Sequence, residues 1–169
     1  MRRTPAAIGS AVFFALAPGI VAGYGPWLLT GWRMGARPYW APVRVAGAIL
    51  VLAGAAVLVQ AFVRFVVEGL GTPAPIAPTE HLVVGGLYRY VRNPMYLAVV
   101  TTVIGQALLL SRSNLFWYAA VVATLMASFA HWYEAPALRR QFGAEYDEYR
   151  RQVPGWLPRL PLSRRRGRS

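Results

Sequence analysis

The length of the charge-free stretches constrains this chain more than any other feature. Four such stretches lie between Thr4 and Trp32, Val45 and Val63, Asn93 and Ser111, and Ser113 and Tyr133. Each is near or above the roughly 20 residues that an α-helix needs to cross the apolar core of a bilayer. Only 14% of the residues are charged, against about 25% in soluble proteins. The sequence therefore predicts an all-α integral membrane protein with about four transmembrane helices.

We expect one membrane domain, residues 1–169, with spans at about residues 6–30, 45–67, 94–110 and 114–133. The few residues between the last two spans predict a tight antiparallel hairpin. Residues 69–93 are predicted to be a cytoplasmic linker, held extended at its start by Pro73, Pro75 and Pro78.

The segment after the last span shows a different pattern. Apolar and aromatic side chains recur at helical spacing among charged ones, at Leu138, Phe142, Tyr146, Tyr149 and Val153. This pattern predicts an amphipathic helix lying in the membrane interface. A basic tail follows, over residues 159–169.

Charge gives an expected orientation. All 18 basic residues are Arg and the net charge is +12. Fourteen of them fall on the predicted side of the two termini and four, Arg33, Arg37, Arg44 and Arg112, on the other. The positive-inside rule then places both termini in the cytoplasm, as in a bacterial cytoplasmic membrane. Because the arginines flank apolar segments, we expect anionic lipids as partners and no nucleic acid.

The segment from Gly86 to Tyr96 carries three Tyr and two Arg at the entry of the third span. Asn93 suits an N-cap and Pro94 a first helical residue. A carboxylate could dock at this helix N-terminus beside Arg92. The same residues also suit ordinary interfacial anchoring.

Two ionisable residues stand near the end of the fourth span. Glu134 lies where the helix dipole disfavours a carboxylate. It suits either a solvated helix end, with Arg139 and Arg140 one turn further on, or a site that holds a cation or hydroxyl groups. His131 could accept a proton or simply satisfy a backbone carbonyl. With no Cys and only His81 and His131, we expect no metal site.

Two blocks with fixed internal spacing resemble the isoprenylcysteine carboxyl methyltransferase and phospholipid methyltransferase superfamily. The first block is Leu82-Val83-x-x-Gly86-Leu87-Tyr88-x-x-x-Arg92-Asn93-Pro94-x-Tyr96. The second is Glu134-x-x-x-Leu138-x-x-x-Phe142-Gly143-x-x-Tyr146-x-x-Tyr149-x-x-x-Val153-Pro154-x-x-Leu157-Pro158. The resemblance implies a membrane methyltransferase that uses S-adenosylmethionine, with residues 134–158 covering the cofactor.

The resemblance also implies roles for individual residues. Arg92 and His131 are the candidate catalytic residues. The implied cofactor contacts are His81, Leu82, Val83, Tyr88, Asn93, Pro94, Met95, Tyr96 and Glu134. The implied acceptor is an amphiphilic small molecule or a lipid.

The sequence departs from the family pattern in three places. Asn93 replaces a His, Ala135 replaces the second Glu of a pair, and Ala130 stands where prenylcysteine enzymes carry a substrate-binding Arg. An amine or hydroxyl acceptor would need a proton acceptor such as His131 or Tyr96, whereas a carboxylate acceptor would need none. A non-catalytic membrane protein, such as a degenerate relative, scaffold or transporter subunit, is the alternative.

Overall fold

The computed structural model describes residues 16–68 and 81–158, which are helical and contain no β-strand. We number the helices α1 to α6 in chain order. Their bounds are α1, a π-helical turn at Ile20–Tyr24 continuing into Gly25–Thr30; α2, Ala41–Glu68; α3, Pro94–Leu110; α4, Asn114–Phe129; α5, Ala135–Phe142; and α6, Ala144–Gln152. The prediction of an all-α fold is confirmed for these residues.

Two helical stretches are long and apolar enough to cross a membrane, Ala41–Arg64 and Asn114–Phe142, with mean hydropathies of 2.3 and 1.4. Only 22% of the most apolar window of each is buried inside the protein. Leu52 and Trp117, for example, are 71% and 79% exposed. A core helix of a soluble protein would be mostly buried, so these outward faces require an apolar surrounding medium.

The predicted count of four spans is not confirmed. Helix α3 is apolar but has only 17 residues, about 26 Å at the α-helical rise and somewhat short of the bilayer core. The predicted first span begins at residue 6, and its first ten residues lie outside the described part of the chain. The proline-rich start of the predicted linker also lies outside it.

The most extensive helix contact joins α2 to α3 through glycine. A Cβ atom on Gly105 would lie 2.8 Å from both the Gly47 oxygen and the Val51 nitrogen. A Cβ on Gly47 would lie 2.7 Å from the Gly105 oxygen. The two backbones therefore touch, the close approach that small residues permit between membrane helices.

The predicted hairpin between the last two spans is confirmed. Helices α3 and α4 are separated by residues 111–113. Ser111 takes a left-handed conformation with φ of +55°, and the Arg112 N–H donates to the Ala107 carbonyl over 2.9 Å. Leu115 on α4 is completely buried against Val103 on α3, which locks the hairpin.

Helix α1 docks against this hairpin through the carbonyl groups of its π-helical turn. The Gln106 side-chain amide donates to the Ala22 carbonyl over 2.6 Å. The Tyr118 hydroxyl donates to the Val21 carbonyl over 2.8 Å. A π-helical turn interrupts the regular ladder of backbone hydrogen bonds, and these two side chains satisfy carbonyls of that turn.

Arginines gather at the end of the bundle where α3 meets α4. Arg112 Nε donates to the Arg33 carbonyl over 3.0 Å, and Arg44 Nε donates to the Leu109 carbonyl over 3.4 Å. Arg92 lies at the opposite end, where α3 begins. This division agrees with the predicted grouping of the arginines, whereas the side that faces the cytoplasm stays a prediction.

The sequence predicts that the fourth span ends near Tyr133, but the helix continues past this residue. Helix α4 passes through a π-helical turn, Ala130–Glu134, directly into α5. Gly143, with φ of +52° and ψ of −122°, then separates α5 from α6, so the expected single C-terminal helix is two helices. Whether they lie in a membrane interface stays a prediction.

We expect Gly105→Ala to lower the thermal unfolding midpoint, because the added methyl group would force α2 and α3 apart. Overpacking of this kind costs about 1–3 kcal/mol. Gly23→Ala is the matched control, since nothing lies within 4 Å of a Cβ there and Ala favours a helix. Midpoints measured in the same nanodiscs that were equal for both variants would contradict the close crossing.

Candidate active site

The segment before α3 is shaped by a glycine in the left-handed region. Gly86 has φ of +57°, and a Cβ there would lie 2.8 Å from Gln60 Nε2 and 3.0 Å from Arg64 Nε on α2. Any larger residue would be strained and crowded. Gly86 starts a 3₁₀ turn, Gly86–Arg89, that buries Tyr88 to 6% exposure.

A second part of the site comes from the π-helical turn between α4 and α5. Pro136 lies in the first turn of α5 and has no N–H to continue the α-helical ladder of α4. The wider π-helical turn, Ala130–Glu134, accommodates this break. Turns of this type are frequent at functional sites, and this one carries both His131 and Glu134.

Glu134 is tied to α3 through Tyr96. The Tyr96 hydroxyl donates to Glu134 Oε2 over 3.0 Å. The ring of Tyr96 also stacks against the ring of Trp156, with centroids 6.3 Å apart and planes inclined by 22°. One aromatic residue therefore connects the acidic group to the C-terminal segment.

Residues 153–156, which we call the strap, run alongside the start of α3. Arg92 donates from its backbone N–H to the Pro154 carbonyl over 2.9 Å and from Nε to the Val153 carbonyl over 3.0 Å. Asn93 donates from its backbone N–H and its side-chain Nδ2 to the Gly155 carbonyl, over 3.3 and 3.1 Å. Four hydrogen bonds thus hold three successive carbonyls of the strap.

Helix α6 adds two tyrosines to this connection. The Tyr149 hydroxyl donates to the Tyr88 carbonyl over 2.7 Å, and Arg92 Nη1 makes a long 3.5 Å contact with the Tyr146 hydroxyl. Burial raises the pKa of Tyr149, and burial together with the nearby Glu134 charge raises the pKa of Tyr88 well above its usual value. Both phenols therefore keep their protons and remain hydrogen-bond donors.

These elements line two adjoining, partly open cavities. The first has a volume of about 110 Å³ and the second about 50 Å³, below the roughly 300–1,000 Å³ of typical small-molecule sites. Both are lined by Tyr88, Arg92, Asn93 and Glu134. The first is also lined by Leu82, Val83, Ala127, Ala130, His131, Ala135, Leu138, Tyr146, Tyr149, Arg150 and Trp156, and the second by Pro94, Met95 and Tyr96.

All of the site residues expected from the sequence line one or both cavities, with the exception of His81. His81 is exposed and immediately precedes Leu82. The two sequence blocks, about 40 residues apart, therefore meet at one end of the bundle. The roles expected for the individual residues stay predictions.

Two residues are engaged differently from what the sequence indicates. Asn93 occupies the N-cap position of α3, but it makes no side-chain capping bond; its amide donates to Gly155 instead. Arg92 directs Nε to the strap carbonyl of Val153 rather than pointing it along the helix end. Polar side chains that would cap α3 in an isolated helix bind carbonyl groups of the strap instead.

Several residues that line the first cavity are not among the site residues that the sequence indicates. The sequence places Tyr146 and Tyr149 only on the apolar face of an amphipathic helix, and Trp156 occupies an unspecified position of the second block. The 3.6-residue period of the aromatic residues could have revealed the face that α6 presents. No signal in the sequence indicates the stacking of Trp156 on Tyr96, since it depends on the strap.

No group of three or more His, Asp or Glu in the described ranges is arranged to hold a metal ion. Glu134 is the one acidic residue among those that line the two cavities. The described site is thus a partly buried pocket with aromatic walls, one carboxyl group, one imidazole and two guanidinium groups.

Comparisons with known proteins agree with this arrangement. The family model of phospholipid methyltransferases matches residues 43–145, which is more than half of the chain, and the chain belongs to this family. A protein-S-isoprenylcysteine O-methyltransferase from Schizosaccharomyces pombe is 32% identical over 91 residues. That match covers 48% of this chain and 35% of the relative's length. No solved structure gives a significant match.

Proposed function

We propose that this chain transfers a methyl group from S-adenosylmethionine to an amphiphilic or lipid-like acceptor at the cytoplasmic face of a membrane. The observation that carries the proposal is the convergence of Tyr88, Asn93, Tyr96 and Glu134 on adjoining cavities. These residues come from both sequence blocks of a methyltransferase family. Membership of the family supports the reaction class.

The residues that line the cavities fit S-adenosylmethionine in their chemistry. The cofactor carries positive charge on sulfur and on its amino group, and Glu134 is a carboxyl group that accepts a hydrogen bond from Tyr96. Apolar and aromatic side chains, including Val83 and Tyr88, suit the adenosine part. We assign Leu82, Val83, Tyr88, Asn93, Pro94, Met95, Tyr96 and Glu134 to cofactor binding, with His81 at its edge.

The cofactor supplies a methyl group already activated by a sulfonium centre, so the protein's main tasks are alignment and exclusion of water. Tyr146, Tyr149 and the strap close the first cavity on one side. An amine or hydroxyl acceptor must lose a proton, and His131, which lines the cavity, is the residue that accepts it. Tyr96 could also take a proton at its oxygen while passing its own proton to Glu134 Oε2.

The acceptor class follows from the surroundings of the site. The apolar stretch Asn114–Phe142 supplies several of the residues that line the first cavity, and one of them, Ala130, is uncharged. The relative from Schizosaccharomyces pombe acts by its name on isoprenylcysteine. The absence of a cationic side chain at position 130 favours a different amphiphilic acceptor for this chain, such as a lipid.

Glu134→Ala should weaken the binding of S-adenosylmethionine by about tenfold or more, because a hydrogen bond to a charged group contributes about 1.5–3 kcal/mol. Tyr88→Phe should weaken it less. Isothermal titration calorimetry on protein in nanodiscs measures both dissociation constants. Glu145→Ala is the control, since Glu145 is exposed and lines neither cavity. Unchanged affinity in folded Glu134→Ala and Tyr88→Phe would refute the cofactor assignments.

Methyl transfer should depend on a membrane-embedded acceptor. With methyl-tritiated S-adenosylmethionine and vesicles of bacterial total lipid, we expect label in the organic phase with wild-type protein and none with Glu134→Ala. Water-soluble headgroup analogues without lipid should remain unlabelled. Efficient transfer to those analogues would contradict the proposed acceptor class.

Orientation can be tested because the chain has no cysteine. In intact cells, a membrane-impermeant maleimide should label Arg37→Cys, whereas Glu145→Cys should react only after permeabilisation. Both positions are exposed, so accessibility within the protein is matched. The reverse pattern would place the site on the outer face and contradict the proposed cytoplasmic location.

A further inference from the structure

Trp156 is an aromatic wall of the first cavity whose role neither family block specifies. The match to the phospholipid methyltransferases ends at residue 145, and so it does not include the strap. The Trp156 ring is partly buried, lines the cavity and stacks on Tyr96. Within the second block, which runs to Pro158, position 156 carries no specified residue.

The position of Trp156 is set by the hydrogen bonds of the residues before it as well as by the packing of its own ring. The three residues that precede it have their carbonyls bound by Arg92 and Asn93. A Cβ on Gly155 would come within 3.2 Å of Arg92 Nη2, so the strap lies directly against the guanidinium group. Arg92 and Asn93 together hold the backbone from which the Trp156 ring extends, and the Arg92 side chain contributes the bond to the Val153 carbonyl.

Glu134 and the Trp156 ring are two groups of this cavity that can attract a cation. Tyr96 links them, because its hydroxyl donates to Glu134 and its ring stacks on the Trp156 ring. Arg150 lines the first cavity from an exposed position, and Arg92 directs its Nε to a backbone carbonyl. The face of a Trp ring is the best aromatic surface for a desolvated cation.

We propose that Trp156 binds the sulfonium centre of S-adenosylmethionine and that Arg92 is the residue that positions it. This inference rests on the proposed function, because it assumes that this cofactor occupies the cavities. It adds a residue that recognises the charge of the reacting sulfur. It also changes the role of Arg92 from a candidate catalytic group to a positioning residue.

The charge on sulfur provides a direct test. S-adenosylhomocysteine has the same amino acid and adenosine parts but a neutral sulfur. Trp156→Leu should raise the dissociation constant for S-adenosylmethionine about tenfold and that for S-adenosylhomocysteine less than about threefold, with Trp156→Phe in between. Calorimetry in nanodiscs measures both ligands. Equal weakening of the two ligands, or no weakening, would overturn the sulfonium contact.

The matched control is Trp117→Leu, because Trp117 is 79% exposed on α4 and lines neither cavity. It should change neither dissociation constant. A loss of the same size in this control would mean that Trp156→Leu acts through general destabilisation, which would overturn the proposal. Retained binding of S-adenosylhomocysteine shows that each variant is folded.

Arg92→Gln tests the positioning role. If Arg92 acts through Trp156, this variant should lose affinity selectively for S-adenosylmethionine, and the double variant with Trp156→Leu should show no further change in the ratio of the two constants. If Arg92 instead contacts the cofactor directly, both ligands should weaken equally, which would overturn the positioning role.

The proposed function and this inference can fail separately. Wild-type protein that binds neither ligand would refute the proposed function and the inference with it. A second outcome would refute only the role of Trp156. In it, the wild-type protein binds S-adenosylmethionine, Glu134→Ala abolishes this binding, and Trp156→Leu leaves it unchanged.

Discussion

The architecture depends on the need for an apolar medium around α2 and α4. Only 22% of the most apolar window of each long helical stretch is buried by protein. Most of the apolar side chains of these two helices therefore face the surrounding medium. In an apolar medium the hydrophobic effect does not drive helices together. Close backbone contact between α2 and α3 at Gly47 and Gly105 provides van der Waals packing instead. Arginines lie at both ends of the bundle, and the site forms at one of them.

Three separate parts of the chain meet at that end: the 3₁₀ turn before α3, the π-helical turn after α4 and the strap after α6. Each of the two turns departs from α-helical geometry for a local reason, a glycine with positive φ in one case and a proline in the other. The strap joins them through backbone carbonyls. Regular helices bond most of their backbone N–H and C=O groups internally. These irregular parts leave some backbone groups free to bond other parts of the chain.

Much of this arrangement could be predicted from the sequence. Charge-free stretches indicate the helices, and the resemblance of the two blocks to the family implies most of the residues that line the cavities. Long-range hydrogen bonds could not be predicted in the same way. Asn93 has the features of an N-cap, yet its amide binds Gly155, which is 62 residues away in the chain. The break at Gly143 was also missed, since an amphipathic period continues across it.

The strap is held by its carbonyl groups, and a carbonyl group is present at every residue. The side chains of the strap are therefore largely independent of the bonds that hold it in place. Substitutions at position 156 can alter the cavity wall while the path of the backbone stays the same. Such a wall is well suited to divergence within a family, because the set of molecules that the cavity accepts can change without a new fold.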